Sequence, residues 1–235
     1  MSVIRTSPGL TDQVYQALLD EICRGALPAG AHLVQEQIAR RLGVSRQPVQ
    51  QAMALLKADG MVEEGGGRGL RVAPLDLERM RAHYEIRASL DGLAARGAAR
   101  RAAARADVAR AIEGRGRAIL DAGAAAVGAG DTAEQIRQDE AFHALLYEMS
   151  GNPLLAKTAE PHWRFLRRVM GEVLRCAETP EDIWTQHAGI LAPVVAGDAA
   201  EAEARAVGHI ENAAEKLVAA FRLAQAEDDD GARAS

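Results

Sequence analysis

The chain has 235 residues, 48% hydrophobic and 26% charged, an ordinary balance for one large or two modest globular domains. Aromatic residues make up only 3%, which favours closely packed helices over a β-sandwich. The net charge of −5 excludes a uniformly basic nucleic-acid-binding protein. The acidity is uneven, however, because residues 1–75 hold 8 Lys and Arg against 7 Asp and Glu. A less acidic N-terminal part fits a DNA-binding domain with local positive charge.

The cellular compartment is indicated by the cysteines and by the apolar segments. Cys23 and Cys176 lie far apart, without metal-ligand spacing, which is typical of a reducing cytoplasm. Residues 1–10 contain no apolar leader, and no stretch approaches the ~20 apolar residues of a membrane span. We therefore expect a cytoplasmic protein that makes no membrane contact.

The first 74 residues predict three helices and a β-hairpin. Thr11 and Ser45 are the expected N-caps of the first and third helices, Gly43 ends the second, and Pro48 lies in the first turn of the third. The predicted elements are helices over 11–24, 35–42 and 46–59, an extended piece over 31–34 and a hairpin over 61–72. This order is typical of a winged helix-turn-helix, and Pro74 marks the end of the domain.

In such a fold the third helix enters the major groove of DNA by its N-terminal end. Arg46 is suited to a guanine or a phosphate, and the glycines at the hairpin tip let the backbone approach DNA closely. We expect Ala52, Leu55 and Leu56 on the buried side of the helix. For any single candidate the alternative is an ordinary solvated side chain. The DNA-contacting candidates are Ser45, Arg46, Gln47, Gln50, Gln51, Gly67, Arg68 and Gly69.

Residues 34–72, VQEQIARRLGVSRQPVQQAMALLKADGMVEEGGGRGLRV, resemble the GntR family of bacterial regulators. The family signature is roughly V-S-R-T-P-V-R-E-A-L-x-x-L-x-x-x-G-L-V, followed by a G-x-G wing. Gln50 and Gln51 depart from it, because the family has Arg-Glu there. Glutamine pairs with adenine whereas arginine prefers guanine. At Gln50, where the family has arginine, the DNA contact is therefore weakened or its base preference is changed. The matching residues are Ser45, Arg46, Pro48, Val49, Ala52, Leu55, Gly60 and Val62.

Beyond Pro74 the pattern is helical almost throughout, and an all-α bundle is predicted over residues 75–225. Asp131 with Glu134, and Asp198 with Glu201, have the spacing of N-terminal capping boxes. Pro161 is expected to break a helix. The predicted helices run over 75–101, 106–129, 131–150, up to 176, from 179 and from 198. Residues 226–235 include three consecutive aspartates and are predicted to be a disordered tail.

Four polar residues of this bundle suggest a metal site. Asp139 and His143 are four residues apart and share a helix face, and His187 and His209 fall on two later helices. Together they could form a site with three imidazoles and one carboxylate, although a histidine on an apolar face is also a common core residue. The expected cofactor is a divalent ion, Zn²⁺ or Ni²⁺ first, with Mn²⁺ or Fe²⁺ as alternatives.

Residues 75–225 resemble the FCD sensor domain of the FadR subfamily. The resemblance lies in YEIRASLDGLAAR at 84–96, DEAFHALLYEMSGNPLL at 139–155, HAGILAPVVAGDAAEAEA at 187–204, and His209. It implies that Asp139, His143, His187 and His209 bind the metal. It also implies that Arg87 corresponds to the arginine that the subfamily usually has at this position. A guanidinium there could clamp a carboxylate effector, but an intrahelical pair with Asp91 is an equal alternative.

The sequence therefore predicts a transcriptional repressor rather than an enzyme. A homodimer is expected to read a pseudo-palindromic site in double-stranded DNA, under control of a small organic acid bound at the metal. Two alternatives stay open: a metal-dependent hydrolase fused to a DNA-binding domain, and a regulator whose metal is purely structural. Glu140, the candidate base for hydrolysis, points about 100° away around its helix.

Overall fold

The computed structural model describes residues 9–65, 69–173 and 180–233. The chain divides into two compact units, Met1–Asp76 and Leu77–Ser235, with the boundary two residues after Pro74. The N-terminal unit contains α1 (Leu10–Cys23), β1 (His32–Leu33), α2 (Gln35–Leu42), α3 (Arg46–Ala58), β2 (Val62–Glu64) and β3 (Leu70–Val72). The C-terminal unit contains α4 (Leu77–Ala104), α5 (Ala106–Ala129), α6 (Thr132–Met149), α7 (Leu155–Val173), α8 (Pro180–Ala196) and α9 (Ala199–Arg233).

The N-terminal domain is a winged helix-turn-helix. Its core forms where apolar residues of α1, such as Leu18 and Ile22, meet Val49 and Leu56 of α3. Gly43 ends α2 in the left-handed conformation, with φ of 66°, which only glycine adopts at little cost. In the described part of this domain the strands form an antiparallel sheet of order β1-β3-β2. The predicted extended piece is therefore an edge strand paired with the hairpin.

Two local predictions in this domain were wrong. Thr11 does not cap α1, because the helix begins one residue earlier with Gly9 as N-cap, whose N–H donates to Asp12. Leu55 is not on the buried side of α3, since 45% of it is exposed. The first error is a helix start placed one residue late. The second reflects helix geometry, in which Leu55 points about 100° away from its buried neighbour Leu56.

The C-terminal domain is a helical bundle in which small residues let the helices approach closely. Ala94, Ala95 and Ala98 of α4 are fully buried. Gly92 faces α9 so closely that a Cβ there would lie 2.7 Å from Val207. The alanine-rich composition thus replaces bulky core residues with close backbone packing.

Two further predictions in the bundle differ from the structure. Pro161 does not break the helix in which it lies, because α7 continues beyond it to Val173. The tail was predicted to be disordered from residue 226. The backbone is instead helical from there to Arg233, as part of α9. Asp131 is the N-cap of α6 and accepts a hydrogen bond from the N–H of Glu134, which is one of the two bonds of the predicted capping box. Among the described residues, no helix combines the length and apolarity that a membrane crossing needs.

Candidate metal centre and DNA-reading surface

The four residues predicted as metal ligands come together inside the C-terminal domain. Asp139 and His143 lie one turn apart on α6, His187 lies on α8 and His209 on α9. All four are buried, and each offers a ligand atom within 4.8 Å of those of the others. The cluster thus joins three helices at one point in the bundle.

The distances within the cluster leave polar atoms facing one another without full hydrogen bonding. Nε2 of His187 lies 3.3 Å from Oδ1 of Asp139 and 3.2 Å from Nε2 of His209. Nε2 of His143 and Oδ2 of Asp139 are buried and have no hydrogen-bond partner. A buried polar atom without a partner is costly, and a cation at the centre would engage these atoms. The donor set therefore fits a metal ion.

The electrostatics of the cluster favour neutral imidazoles. Burial lowers the pKa of His187 and of His209 far below the usual histidine value, and neighbouring positive groups lower both further. Both rings are therefore neutral at pH 7, the form that binds metal. Burial also raises the pKa of Asp139, although the charges of His143 and Arg87 oppose the shift. A divalent cation would favour the ionised carboxylate.

Two outer contacts orient the imidazoles. Nδ1 of His143 lies 3.1 Å from Oδ1 of Asp91, and Nδ1 of His209 lies 2.8 Å from Oε1 of Gln186. An ionised carboxylate only accepts, so Nδ1 of His143 donates to Asp91, and its Nε2 is the ring atom that faces the cluster, 3.9 Å from Oδ1 of Asp139. Neither contact was predicted from the sequence. Asp91 was considered only as a partner of Arg87, since it lies 52 positions before His143 and no local signal connects the two.

Arg87 lies next to the cluster and is almost fully buried. Its Nε donates to Oδ2 of Asp91 at 3.1 Å, so the predicted intrahelical pair is present. Its guanidinium carbon also lies 3.9 Å from the centre of the Trp163 ring, within cation–π range. Burial alone would lower the pKa of Arg87, but the charges of Asp91 and Asp139 raise it overall. The guanidinium is thus a fixed positive charge beside the candidate metal site.

The predicted DNA-reading residues line the N-terminal half of α3 and face solvent. Ser45 is the N-cap residue, with an extended backbone and no capping bond from its side chain. Nη2 of Arg46 lies 3.2 Å from Oε2 of Glu36 on α2, and 69% of the arginine side chain is exposed. Gln51 accepts a hydrogen bond from the Thr11 hydroxyl at 2.7 Å, which ties it to α1. Gln47 and Gln50 are exposed as well.

The wing residues fall partly outside the described part of the chain. Gly67 and Arg68 lie in the segment 66–68, which the structure does not describe. Gly69 follows with φ of 140°, a conformation that favours glycine. Its carbonyl accepts a hydrogen bond from the N–H of Gly65 at 3.1 Å, which closes the base of the hairpin tip.

Two protein-family models match this chain. The model of bacterial regulatory proteins of the gntR family matches residues 10–72, and the FCD domain matches residues 82–212. An HTH-type transcriptional regulator of Agrobacterium vitis is 32% identical over 144 residues, 60% of this chain and 81% of that protein. The HTH-type transcriptional repressor RspR of Escherichia coli is 29% identical over 90 residues, 38% of this chain and 40% of that protein.

Solved structures show the same fold. McbR/YncC of Escherichia coli superposes with a TM-score of 0.75 at 20% identity, covering 92% of this chain and 100% of that chain. A GntR transcriptional regulator from Rhodococcus sp. RHA1 superposes with a TM-score of 0.73 at 22% identity, covering 89% and 98%.

Proposed function

The chain belongs to the GntR family of bacterial regulatory proteins with a C-terminal FCD domain, and from that premise we propose that it is an effector-controlled repressor. It is a DNA-binding transcriptional regulator and not an enzyme, as its relatives are regulators. The proposal adds that a small carboxylate, bound at a metal ion in the FCD domain, sets the affinity for DNA. A relative named as a repressor supports the direction of control.

The buried cluster of three histidines and one aspartate carries this proposal. Three imidazoles and a carboxylate suit Zn²⁺ or Ni²⁺, with Mn²⁺ or Fe²⁺ as alternatives. Asp139, His143, His187 and His209 would hold the ion, which would supply a Lewis acid to an effector. Because the ligands come from α6, α8 and α9, binding or loss of the ion would change how these three helices pack.

The charges around the cluster support an anionic effector. With a divalent ion bound, Asp91 and Asp139 would contribute two negative charges and Arg87 one positive charge, all buried. The ion's own two charges would leave one excess positive charge. A single carboxylate restores neutrality, and Arg87 offers the guanidinium that recognises such a group.

The DNA partner follows from the N-terminal domain. We infer that two copies of the chain bind a pseudo-palindromic site in the cytoplasm, each placing α3 in a major groove. Arg46, Gln47 and Gln50 are the side chains that we assign to base edges, because they are exposed at the leading end of α3. We assign Ser45, Gln51 and the wing residues 67–69 to the phosphate backbone.

The test is a thermal-shift screen of organic acids on the Zn²⁺-loaded protein, followed by DNA-binding titrations on a fragment selected by the protein itself. We expect at least one acid to raise the melting temperature by mass action and to weaken DNA binding. The control is a double variant, His187→Ala with His209→Ala, which should bind DNA but lose both the metal and the response.

Two outcomes would contradict the proposal. A full response to the acid in the metal-free double variant would show that the metal does not mediate control. Stabilisation by Zn²⁺ with no acid altering DNA affinity would leave a purely structural metal.

A further inference from the structure

Asp91 is a buried carboxylate of the C-terminal domain that contacts both His143 and Arg87. It has no exposed surface, and it lies on α4 one helical turn after Arg87. Its two oxygens serve different partners: Oδ1 lies 3.1 Å from Nδ1 of His143, and Oδ2 lies 3.1 Å from Nε of Arg87. One side chain thus joins a candidate metal ligand on α6 to the arginine of α4.

An ion pair with Arg87 alone does not account for this arrangement. A carboxylate that only neutralises a guanidinium binds it best with two parallel hydrogen bonds. Here the arginine donates one bond to the carboxylate through Nε, and the second carboxylate oxygen contacts an imidazole whose other nitrogen, Nε2, is buried and without a hydrogen-bond partner. That is the geometry of a carboxylate–histidine–metal relay, in which the carboxylate sets the ring tautomer and raises ligand basicity.

The three histidines of the cluster are not equivalent in this respect. Within the described part of the chain, His143 has an anionic acceptor on Nδ1 and His209 has a neutral amide oxygen from Gln186. Nδ1 of His187 is buried and has no hydrogen-bond partner. Control over the orientation and basicity of the ligands therefore concentrates on His143.

We propose that Asp91 is the positioning residue of the metal centre and its physical link to Arg87. The proposal rests on the proposed function, in which the cluster binds a metal and Arg87 meets the effector. It specifies how the two are coupled: an effector carboxylate that engages Arg87 shares it with Asp91, and Asp91 in turn holds His143. Metal affinity and effector affinity then change together and reciprocally, as thermodynamic linkage requires.

The deciding variant is Asp91→Asn, which keeps the shape of the side chain. Its amide oxygen replaces only one carboxylate oxygen, and its NH₂ group faces a donor on either His143 or Arg87. We expect Zn²⁺ affinity, measured by competition with a chelator, to fall by about 10–100-fold. The matched control is Asp107→Asn, which removes an exposed aspartate paired with Arg105 in the same domain and should leave Zn²⁺ affinity unchanged.

A second readout separates positioning from a structural role. Nitrogen-15 NMR of the metal-free wild type should show His143 as a single tautomer protonated at Nδ1, and the Asp91→Asn protein should show a mixture. Asp91→Glu should recover part of the Zn²⁺ affinity if Asp91→Asn folds poorly. Wild-type Zn²⁺ affinity with an unchanged tautomer in Asp91→Asn would overturn the proposal. Failure of the wild type to bind Zn²⁺ or Ni²⁺ would overturn the proposed function, and the tautomer would still test the Asp91–His143 contact.

Discussion

At the scale of single residues, Arg46 is one of the three side chains of α3 that we assign to base edges. It extends from the first turn of α3, and in the absence of DNA its guanidinium rests against Glu36 of α2. Nη2 of Arg40 lies 3.7 Å from the other carboxylate oxygen of Glu36, so one carboxylate pairs with two exposed arginines. Such exposed pairs contribute little to stability, and their exchange for DNA contacts therefore costs little.

Replacement of Arg46 by alanine should weaken binding to the selected DNA site by about 1–3 kcal/mol, because a two-pronged guanine contact is lost. The fold and Zn²⁺ content should not change. Fluorescence anisotropy with the selected fragment measures the effect. Arg24→Ala, which removes an exposed cation at the end of α1, is the matched control. Equal affinities of Arg46→Ala and wild type would remove Arg46 from the DNA-reading surface.

The sequence predicted some residues of the candidate site and not others, for a physical reason. Asp139 and His143 are visible because four residues make one helical turn, so their spacing already places them on one face. His187 and His209 were candidate ligands on later helices, and only the family resemblance favoured them over ordinary core histidines, since no local rule connects separate helices. Asp91 and Gln186 were missed, because outer contacts depend on how helices pack rather than on any spacing along the chain.

At the scale of helices, α5 and α8 pack with almost no space between them. Gly123 of α5 faces Trp184 of α8, and a Cβ at that glycine would lie 2.2 Å from the indole ring. Gly114 lies on the same helix, and a Cβ there would meet no atom within 4 Å. The two glycines therefore have different roles: one makes room for a tryptophan and the other only lowers helix propensity.

Gly123→Ala should destabilise the C-terminal domain by roughly 1–3 kcal/mol through overpacking. Gly114→Ala should instead stabilise it by up to about 1 kcal/mol, because alanine is the better helix former. Urea unfolding followed by tryptophan fluorescence measures both, since the two tryptophans of the chain, Trp163 and Trp184, lie in this domain. Equal effects of the two substitutions would show that the bundle relaxes around Gly123.

A second contact between helices involves two histidines of α4 and α7. Nδ1 of His83 lies 2.9 Å from Nδ1 of His162, and the His83 ring stacks on Phe165 with centroids 4.2 Å apart. Burial, together with the charges of His162 and Arg79, lowers the pKa of His83 to about 4. Burial lowers the pKa of His162 as well. Both rings are therefore neutral in the folded protein near pH 7.

A histidine whose pKa is lowered by folding makes the protein less stable in acid. The unfolded chain binds a proton near pH 6.5 and the folded chain only near pH 4, so stability is full above pH 6.5 and falls towards pH 4. His83→Asn keeps a hydrogen-bonding group without this titration. The C-terminal domain of this variant should lose less stability between pH 7 and pH 4.5 than the wild type, as urea unfolding by tryptophan fluorescence measures. The exposed His32→Asn should behave as wild type, and parallel pH profiles for His83→Asn and wild type would contradict the assignment.

Most helices could be predicted from periodicity and caps, and the exceptions are instructive. Pro161 removes one backbone donor from α7, yet the helix continues because Trp163, Phe165 and Leu166 just beyond it are buried against the bundle. Tertiary packing thus outweighs a local breaker. β1 was predicted only as an extended piece, because its pairing with β3 joins residues almost forty positions apart.

At the scale of the whole molecule, each chain brings one small DNA-reading surface. Residues 1–75 hold nearly equal numbers of basic and acidic side chains, and Arg40, Arg41 and Arg46 are each paired with a glutamate. One chain therefore supplies only a handful of phosphate contacts, and counterion release from so few contacts gives only weak binding. Two copies on one DNA site double the contacts and the sequence that is read.

The protein should therefore be a two-fold dimer that binds a pseudo-palindrome whose half-sites lie about one helical turn, 10–10.5 base pairs, apart. Sedimentation velocity should show a dimer of the free protein and two chains per selected DNA fragment. A fragment with one half-site scrambled should bind much more weakly, because the second α3 then meets non-specific DNA. Insertion of five base pairs between half-sites should have a similar effect, since it turns them to opposite faces of the duplex. A monomer in solution and on DNA, with no loss of affinity in either altered fragment, would show that a single helix-turn-helix suffices.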